Sequence, residues 1–189
     1  MTMATQARLK NAAHAAALAA AAVLVRLWGL GEQSLAWDDY NGLVGLSEDS
    51  LLASVALARQ VNPEGAPLYH VVQWLASLLI GTSPPAMRLL SVALGLAALP
   101  LVYATGARVF GRRAGLIAAW CLALSPLHIY HDQSIRNYPL YALLGAAALY
   151  TQIRCLQDGE RRWLAANWLS NTLLVWTHLL GVFFVAAQG

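Results

Sequence analysis

Five long apolar stretches run through the chain, at residues 11–30, 87–108, 114–130, 138–156 and 164–187. Each is long enough to cross the hydrocarbon core of a bilayer as a helix, which takes about 20 residues, or about 17 at the short end. Because lipid offers no partner for backbone N–H and C=O groups, such stretches must be helical. The sequence therefore predicts an all-α, multi-pass transmembrane protein with about five spans.

Composition supports this class and argues against others. Of the 189 residues, 59% are hydrophobic and 11% are charged, whereas about 25% are charged in an ordinary soluble domain. The net charge is only +3, and the twelve Lys and Arg residues are scattered, which argues against nucleic-acid binding. Trp28 lies near the end of the first stretch, where a cleaved signal peptide would carry small residues, so we expect a retained span.

A sixth apolar stretch, residues 67–81, is shorter and contains His70, Gln73 and Trp74, which favours an interfacial or re-entrant helix over a crossing. With this stretch not crossing and the N-terminus in the cytoplasm, eight basic residues fall inside and three outside, as the positive-inside rule requires. The inner group is Arg8, Lys10, Arg108, Arg112, Arg113, Arg154, Arg161 and Arg162, and the outer group is Arg59, Arg88 and Arg136.

The chain is predicted to form a single membrane domain, residues 1–189. It comprises the first span, an outer loop at 31–86, and four further spans within 87–189. Ser47-Glu48-Asp49-Ser50 is typical of a helix start, and the sequence NPEGAP ends that helix, so we expect short interfacial helices in the loop. Seven of the nine acids lie on the predicted outer side, which makes the outer face the expected place for a site.

The most distinctive local motif is Trp37-Asp38-Asp39-Tyr40, shortly after the first span. Adjacent carboxylates repel, which tends to raise one pKa and leave a base ready to abstract a proton. The same pair could bind a divalent cation. The alternative is a solvated loop that its Trp and Tyr anchor at the interface.

A second polar cluster lies between the third and fourth predicted spans, and it includes Gln133, Arg136 and Tyr138. An Arg flanked by aromatic residues can hold a phosphate by forked, charge-assisted hydrogen bonds. The alternative for Arg136 is snorkelling at a helix end. His128 and His131 in this segment are either metal ligands or, more often in such a setting, hydrogen-bonded structural residues.

Four other residues are candidates for contact with a substrate. Tyr69, His70 and Arg88 flank or lie within the short apolar stretch and could line a groove, although interfacial anchoring explains them equally well. His178 lies inside the last predicted span, where an ionisable group is a functional candidate. A helix–helix hydrogen bond is the alternative role for His178.

Together, three segments resemble the GT-C glycosyltransferases of the protein O-mannosyltransferase and aminoarabinose-transferase type. SLAWDDYNGL is similar to the acidic first-loop motif of that family, with Asp38 at its Asp position and Asp39 where Glu is usual. The region from APLYHVVQ to YPLYALL is similar to the family's central stretch, and WTHLLGVFFVAAQ is similar to its YTHYxG helix. The order and spacing of the segments carry the resemblance.

The resemblance implies transfer of a sugar, with inversion, from a polyprenyl-phosphate donor to a protein, glycan or lipid acceptor. In that scheme Asp38 is the general base, with Asp39 beside it, and Arg136, with Arg88 as second choice, holds the donor phosphate. No cofactor is implied with certainty; a divalent cation at the acidic pair remains open. The expected setting is a bacterial inner membrane, with the site facing the periplasm or exterior. The other candidate substrate-binding residues are Tyr138, Tyr69, His70, Gln133 and His178.

Family members are longer than this chain, so the sequence resembles their N-terminal portion, and we expect it to be incomplete or inactive alone. The alternative function is a non-catalytic membrane module that binds lipid or assists assembly on the same scaffold. A small transporter fits less well, because the acids cluster in a loop rather than at the bilayer midplane.

Overall fold

The computed structural model describes residues 3–32, 34–61 and 66–188. Over these ranges the chain is helical, with no β-strand element, so the predicted all-α class is confirmed. The elements are α1 (Met3–Leu27), α2 (Trp37–Leu43), a 3₁₀ turn (Val44–Ser47), α3 (Leu51–Val61), α4 (Leu68–Ile80), α5 (Pro84–Phe110), α6 (Arg112–Ala123), α7 (Pro126–Asp132), α8 (Tyr138–Asp158), α9 (Arg161–Thr177) and α10 (Gly181–Ala186).

The long helices form a bundle in which α5 packs against α6 and α8, and α8 packs against α9. Small residues allow the closest approach: a Cβ on Gly106 of α5 would lie 2.9 Å from the Cα atom of Gly115 in α6. Close backbone contact through small residues is typical of helix packing in membranes.

The two ends of the bundle differ in chemistry. We call the end covered by α2, α3 and α4 the site end and the opposite one the basic end. At the basic end Asp158 pairs with Arg108 and Arg154, and the Arg154 guanidinium lies 3.9 Å from the centre of the Trp163 ring. The bundle therefore separates the acidic first-loop motif from a basic cluster at the ends of α5 and α8.

By length and composition, α5 is the one helix of the described ranges that could cross a membrane by itself. Helices α6 and α7 make a second such segment only if the pair, bent by 58°, is counted as one span. The apolar part of α1, Ala12–Leu27, is shorter than a helix that counts as a crossing by this criterion. The five predicted crossings are thus not established by the helices themselves.

The predicted third stretch, 114–130, is divided after Ala123. Pro126 has no N–H to donate back into α6, and the Ser125 hydroxyl oxygen accepts a hydrogen bond from the backbone N–H of His128 at 3.4 Å. The chain therefore begins a new helix, α7, at Pro126.

The structure also corrects the expectation of one continuous helix over 164–187. The backbone is extended at His178, whose Nδ1 accepts the Leu180 N–H at 3.1 Å. Gly181 then packs on the backbone of Leu174, where a Cβ would come within 3.0 Å. The Gln188 side-chain amide exchanges two hydrogen bonds of 3.1 Å with that of Asn171. Satisfied polar groups thus stabilise a chain that folds back along α9.

The 31–86 segment contains the predicted short helices. The Ser50 hydroxyl accepts the Ala53 N–H at 3.2 Å, and α3 begins at Leu51, so the predicted helix start is confirmed. The stretch 67–81 forms α4, whose 13 residues span about 20 Å at about 1.5 Å per residue, less than the roughly 30 Å of a hydrocarbon core. Helix α2, which carries the acidic motif, was not predicted.

A buried ion pair connects α1 with α7. The fully buried Arg26 donates from Nε to Asp132 Oδ2 at 2.6 Å, and from Nη1 to the carbonyl oxygens of Ala123 at 2.9 Å and Ala22 at 3.1 Å. His128 Nδ1 lies 2.7 Å from the same Asp132 oxygen. The carboxyl group sits where a Cβ on Gly95 would otherwise be, so a larger residue there would expel it.

We expect Asp132→Asn to lower the free energy of unfolding by about 3 kcal/mol or more, because removing one partner leaves a buried charge uncompensated. Denaturant titration of the purified protein in bicelles measures this difference. The matched control is Glu160→Gln, which breaks an exposed pair with Arg162 and should cost less than about 1 kcal/mol. Equal effects of the two variants would contradict a stabilising role for the buried pair.

Candidate active site

The acidic motif forms the first turn of α2. Residues Asp38 and Asp39 follow Ala36 at the start of the helix, where negative charge interacts favourably with the helix dipole. Because consecutive helical residues point about 100° apart, the two carboxylates face different surroundings.

Asp39 is buried, with 4% of its surface exposed. Its Oδ1 accepts the backbone N–H of Ile135 at 2.8 Å, and its Oδ2 accepts that of Ala36 at 3.3 Å. Oδ2 also lies 3.5 Å from Nη2 of Arg88. Both oxygens of Asp39 are therefore engaged by protein groups.

Asp38 faces outward, with its side chain 65% exposed, and its Oδ1 lies 2.9 Å from Nη1 of Arg136. The Arg136 side chain is 22% exposed. The structure thus brings the acidic motif and the predicted phosphate-binding Arg, which are almost a hundred residues apart, into direct contact at the site end.

The ion pair lies on a small cavity between α2, α4 and the turn at 133–137. Its free volume is about 20 Å³, roughly that of one water molecule. Its lining is polar apart from two small residues, and comprises Asp38, Asn41, Gly42, Ala66, Tyr69, His70, Arg136 and Asn137.

Two of the predicted residues form the α4 side of this cavity as neutral groups. Burial raises the pKa of the Tyr69 hydroxyl, and burial lowers the pKa of the His70 imidazole. Their rings meet edge to face, with centroids 5.9 Å apart. At neutral pH both side chains are therefore uncharged beside the charged pair.

An aromatic cluster extends from the other side of Arg136. The guanidinium carbon of Arg136 lies 5.6 Å from the centre of the Tyr138 ring. The centroid of that ring lies 4.4 Å from the centroid of the His131 ring and 5.9 Å from that of the His178 ring. Tyr141 lies 5.6 Å from His178. The structure therefore brings the predicted Tyr138 and His178 together with Arg136.

Below this cluster lies a second, mostly apolar cavity of about 280 Å³ between α6, α7 and α8. Its polar lining includes His128, His131, Tyr138 and Tyr141. Tyr138 thus contributes to this cavity and contacts Arg136 of the first one.

Two candidate residues lie elsewhere and contact backbone instead of either cavity. Arg88 is 2% exposed and donates to the carbonyl oxygens of Leu30 at 3.0 Å and Ser34 at 3.1 Å. The Gln133 side-chain amide donates to the carbonyl oxygens of Arg26 and Trp28, both at 3.0 Å. These hydrogen bonds give Arg88 and Gln133 a supporting place beneath the site, in contrast to the expected contact with substrate.

Sequence reasoning missed several groups at the site. Asn41 lies one helical turn after Asp38, and that spacing would have found it had α2 been recognised. Asn137 lines the cavity and donates to the Thr177 carbonyl at 3.0 Å, which fastens the 133–137 turn to the end of α9. The Arg26–Asp132 pair had a signal too, an Arg inside an apolar stretch.

The geometry does not fit a divalent cation held by Asp38 and Asp39. One carboxylate faces Arg136 and the other faces Ile135 and Arg88, so their oxygens do not converge. Within the described ranges no three His, Cys, Asp or Glu side chains are placed as metal ligands.

Comparison with known proteins gave one match. A sequence model of the dolichyl-phosphate-mannose-protein mannosyltransferase family matches residues 63–187, well over half of the chain. This segment includes Arg136, Tyr69 and His178, whereas α2 precedes it. Searches among curated proteins and among solved structures found no match. The extent of the match shows that this chain belongs to the dolichyl-phosphate-mannose-protein mannosyltransferase family, a group of GT-C glycosyltransferases.

Proposed function

We propose that the protein transfers a sugar from a polyprenyl-phosphate donor to a protein, glycan or lipid acceptor. Membership of the family supports glycosyl transfer, and the Asp38–Arg136 contact at 2.9 Å is the observation that carries the proposal. A proton acceptor and a phosphate-binding cation are the two groups that this reaction needs, and here they share one cavity.

Arg136 is the group that would bind the donor phosphate. Its planar guanidinium can form two parallel hydrogen bonds with phosphate oxygens. As the sugar leaves, negative charge develops on the phosphate oxygen that loses its bond to carbon, and a positioned cation stabilises that charge. A lipid phosphate is already a weak base, so cationic stabilisation matters more to it than a general acid.

Asp38 is the group that would accept the proton of the acceptor hydroxyl. The acceptor oxygen attacks the anomeric carbon, the bond from that carbon to the phosphate oxygen breaks, and its electron pair goes to the phosphate. The proton passes to the Asp38 carboxylate, so charge and atoms balance. General base catalysis of this kind contributes typically about 10²–10⁴-fold.

In the described state Asp38 and Arg136 form an ion pair with each other, and the cavity has room for about one water molecule. A donor phosphate carries the same charge sign as the Asp38 carboxylate and more acceptor oxygens, so it competes for the Arg136 guanidinium. Binding of the donor would therefore open the cavity and release Asp38 to act on an acceptor.

The surroundings of the ion pair support a lipid-linked sugar. His70 and Asn41 offer neutral hydrogen-bonding groups on one side, as sugar hydroxyls require, and the Tyr69 ring lines the cavity beside them. On the other side, Tyr138 joins Arg136 to the apolar cavity of about 280 Å³, which suits the first isoprenoid units. The His178 and Tyr141 rings extend this face.

We further propose five crossings of a bacterial inner membrane, with the N-terminus in the cytoplasm and the site end facing the periplasm or exterior. The separation of Arg108 and Arg154 from the site end supports this orientation. The shortness of α4 supports its placement at the interface.

A non-catalytic lipid-binding or assembly module is the second candidate. The observation that favours it is that Asp38 is engaged by Arg136 and so is not free to accept a proton in the described state, whereas a site that only binds an anion needs the Arg136 guanidinium alone. The two functions differ in what they require of Asp38.

We expect Asp38→Asn to reduce sugar transfer by about 10²-fold or more, because the proton acceptor is lost, while polyprenyl-phosphate binding is retained or becomes tighter because a competing carboxylate is gone. Transfer from polyprenyl-phosphate mannose and binding of a fluorescent polyprenyl phosphate, both in membrane vesicles, measure the two effects. Asp49→Asn, an exposed acid of the same segment, is the control and should change neither. Unaltered transfer in Asp38→Asn would remove Asp38 from the mechanism.

Arg136→Lys keeps the charge and loses the forked geometry, so we expect polyprenyl-phosphate binding to weaken about 10-fold, which is roughly 1.4 kcal/mol of binding free energy. Arg136→Ala also removes the charge and should weaken binding further. The binding assay in vesicles decides this, with the exposed Arg59→Ala as control. A pure binding module predicts loss of lipid in Arg136→Ala with no effect of Asp38→Asn. Normal binding in both Arg136 variants would exclude Arg136 from either function.

Topology is tested by cysteine labelling in a Cys121→Ala, Cys155→Ala background. Ser47→Cys at the site end should react with an impermeant maleimide added to intact cells, whereas Arg113→Cys at the basic end should react only after the membrane is opened. Both positions are exposed. Labelling of the two sites from the same side would contradict the proposed orientation.

A further inference from the structure

Two adjacent acids of α2 have opposite environments, and this difference separates their roles. The carboxylate of Asp38 is largely exposed on the cavity, while Asp39 is almost completely buried beneath it. Asp39 is absent from the cavity lining. A group that accepts the acceptor's proton must reach the substrate, and Asp39 does not reach this cavity.

The contacts of Asp39 lead instead to the turn that carries Arg136. Its Oδ1 accepts the N–H of Ile135 at 2.8 Å, the residue directly before Arg136. Its other oxygen lies 3.5 Å from Arg88 of α5, which itself donates to the backbone of Leu30 and Ser34. One carboxylate therefore joins α2, α5 and the 133–137 turn.

A steric contact reinforces this electrostatic one. Gly42 of α2 lies directly on Ile135, and a Cβ there would overlap the Ile135 carbonyl oxygen. The Ile135 side chain is fully buried and packs with Ala86 and Met87 at the start of α5. Helix α2 thus contacts the Ile135 backbone at both polar groups, with the Asp39 carboxylate at its N–H and Gly42 against its C=O.

We propose that Asp39 is a positioning residue, which fixes the Arg136 turn against α2 and so sets the distance and orientation between Asp38 and the donor phosphate. This inference rests on the proposed function. It assigns different roles to two acids that the sequence presents as a pair: Asp38 touches substrate, and Asp39 acts through Ile135 and Arg136.

The first test is Asp39→Asn in the full chain. Its uncharged amide cannot satisfy Arg88 and Ile135 together, so the Ile135 N–H should lose protection against hydrogen exchange in the peptide 133–138. Because Asp38 and Arg136 are both still present, we expect kcat for sugar transfer to fall about 10- to 100-fold, with the donor KM changed less than about twofold. The acidic limb of the pH profile should remain, because Asp38 is still present, and Asp39→Glu should restore part of kcat.

A second variant perturbs the same contact without touching a charge. Gly42→Ala should push the Ile135 peptide away and reproduce both the exchange and the kcat effects, even if Asp39→Asn folds poorly. The matched control is Gly45→Ala, where a Cβ would meet Ser54 of α3, 2.9 Å from its carbonyl oxygen, and not the Arg136 turn. This control should leave kcat per folded molecule within about twofold.

Three outcomes would overturn the proposal. A base role for Asp39 predicts loss of transfer as complete as in Asp38→Asn, with the acidic limb of the pH profile gone. A purely structural role predicts less folded protein with normal kcat per folded molecule. Unchanged exchange at 133–138 in both variants would show that the contact does not hold the turn.

The exchange measurement is independent of turnover, so it separates the two proposals. If the wild-type chain transfers no sugar from polyprenyl-phosphate mannose, the proposed function fails. Positioning would still be supported by two results: loss of protection at 133–138 in Asp39→Asn, and weaker coupling between Asp38→Asn and Arg136→Ala in polyprenyl-phosphate binding when Asp39→Asn is also present. Additive effects of those two substitutions in both the wild-type and the Asp39→Asn backgrounds would overturn it.

Discussion

Two buried guanidinium groups organise the site end of this protein. Removing a cation from water costs several kcal/mol unless a carboxylate and further acceptors surround it, and Arg26 and Arg88 meet that requirement with Asp132 and Asp39. Each pair joins segments that are distant in sequence, so the four charged residues fix the positions of α2, α7 and the turn at 133–137. The exposed Asp38–Arg136 contact is possible because these deeper pairs hold its two halves.

Much of the helical architecture follows from local sequence. Apolar runs predict α5 and α8, because a long helix has a periodic or continuous pattern of apolar residues in the sequence. Ser50 and the apolar residues after it predict α3. Helix α2 was missed, since seven residues give too short a record and Ala36 is a weak cap. The break before Pro126 was missed although Ser125 and Pro126 are a local signal for a helix start. Groups from other parts of the chain, Arg26 and Asn171, also stabilise the segments at this break and at His178, and the sequence does not show those contacts.

The candidate site shows the same division between local and long-range information. Residue chemistry alone made Asp38 and Arg136 candidates, because adjacent carboxylates near an interface and an Arg among aromatic residues can react with or bind a substrate, and the structure places the two side chains 2.9 Å apart. The sequence could not assign Arg88 and Gln133, whose hydrogen bonds reach backbone carbonyls of the 26–34 region. Residue chemistry could not separate Asp38 from Asp39, which only the family resemblance distinguished, since a difference of one residue becomes a difference of environment only when the helix has a buried face.

The bend between α6 and α7 explains how an Arg can be tolerated at the end of an apolar helix. Where α6 stops, the Ala123 carbonyl points toward Arg26 and accepts from its guanidinium at 2.9 Å, alongside the Ala22 carbonyl at 3.1 Å. In water such a cation would be surrounded by oxygen atoms of the solvent, and here peptide oxygens take their place. The end of α6 thus provides a backbone carbonyl that replaces water around the Arg26 charge on α1.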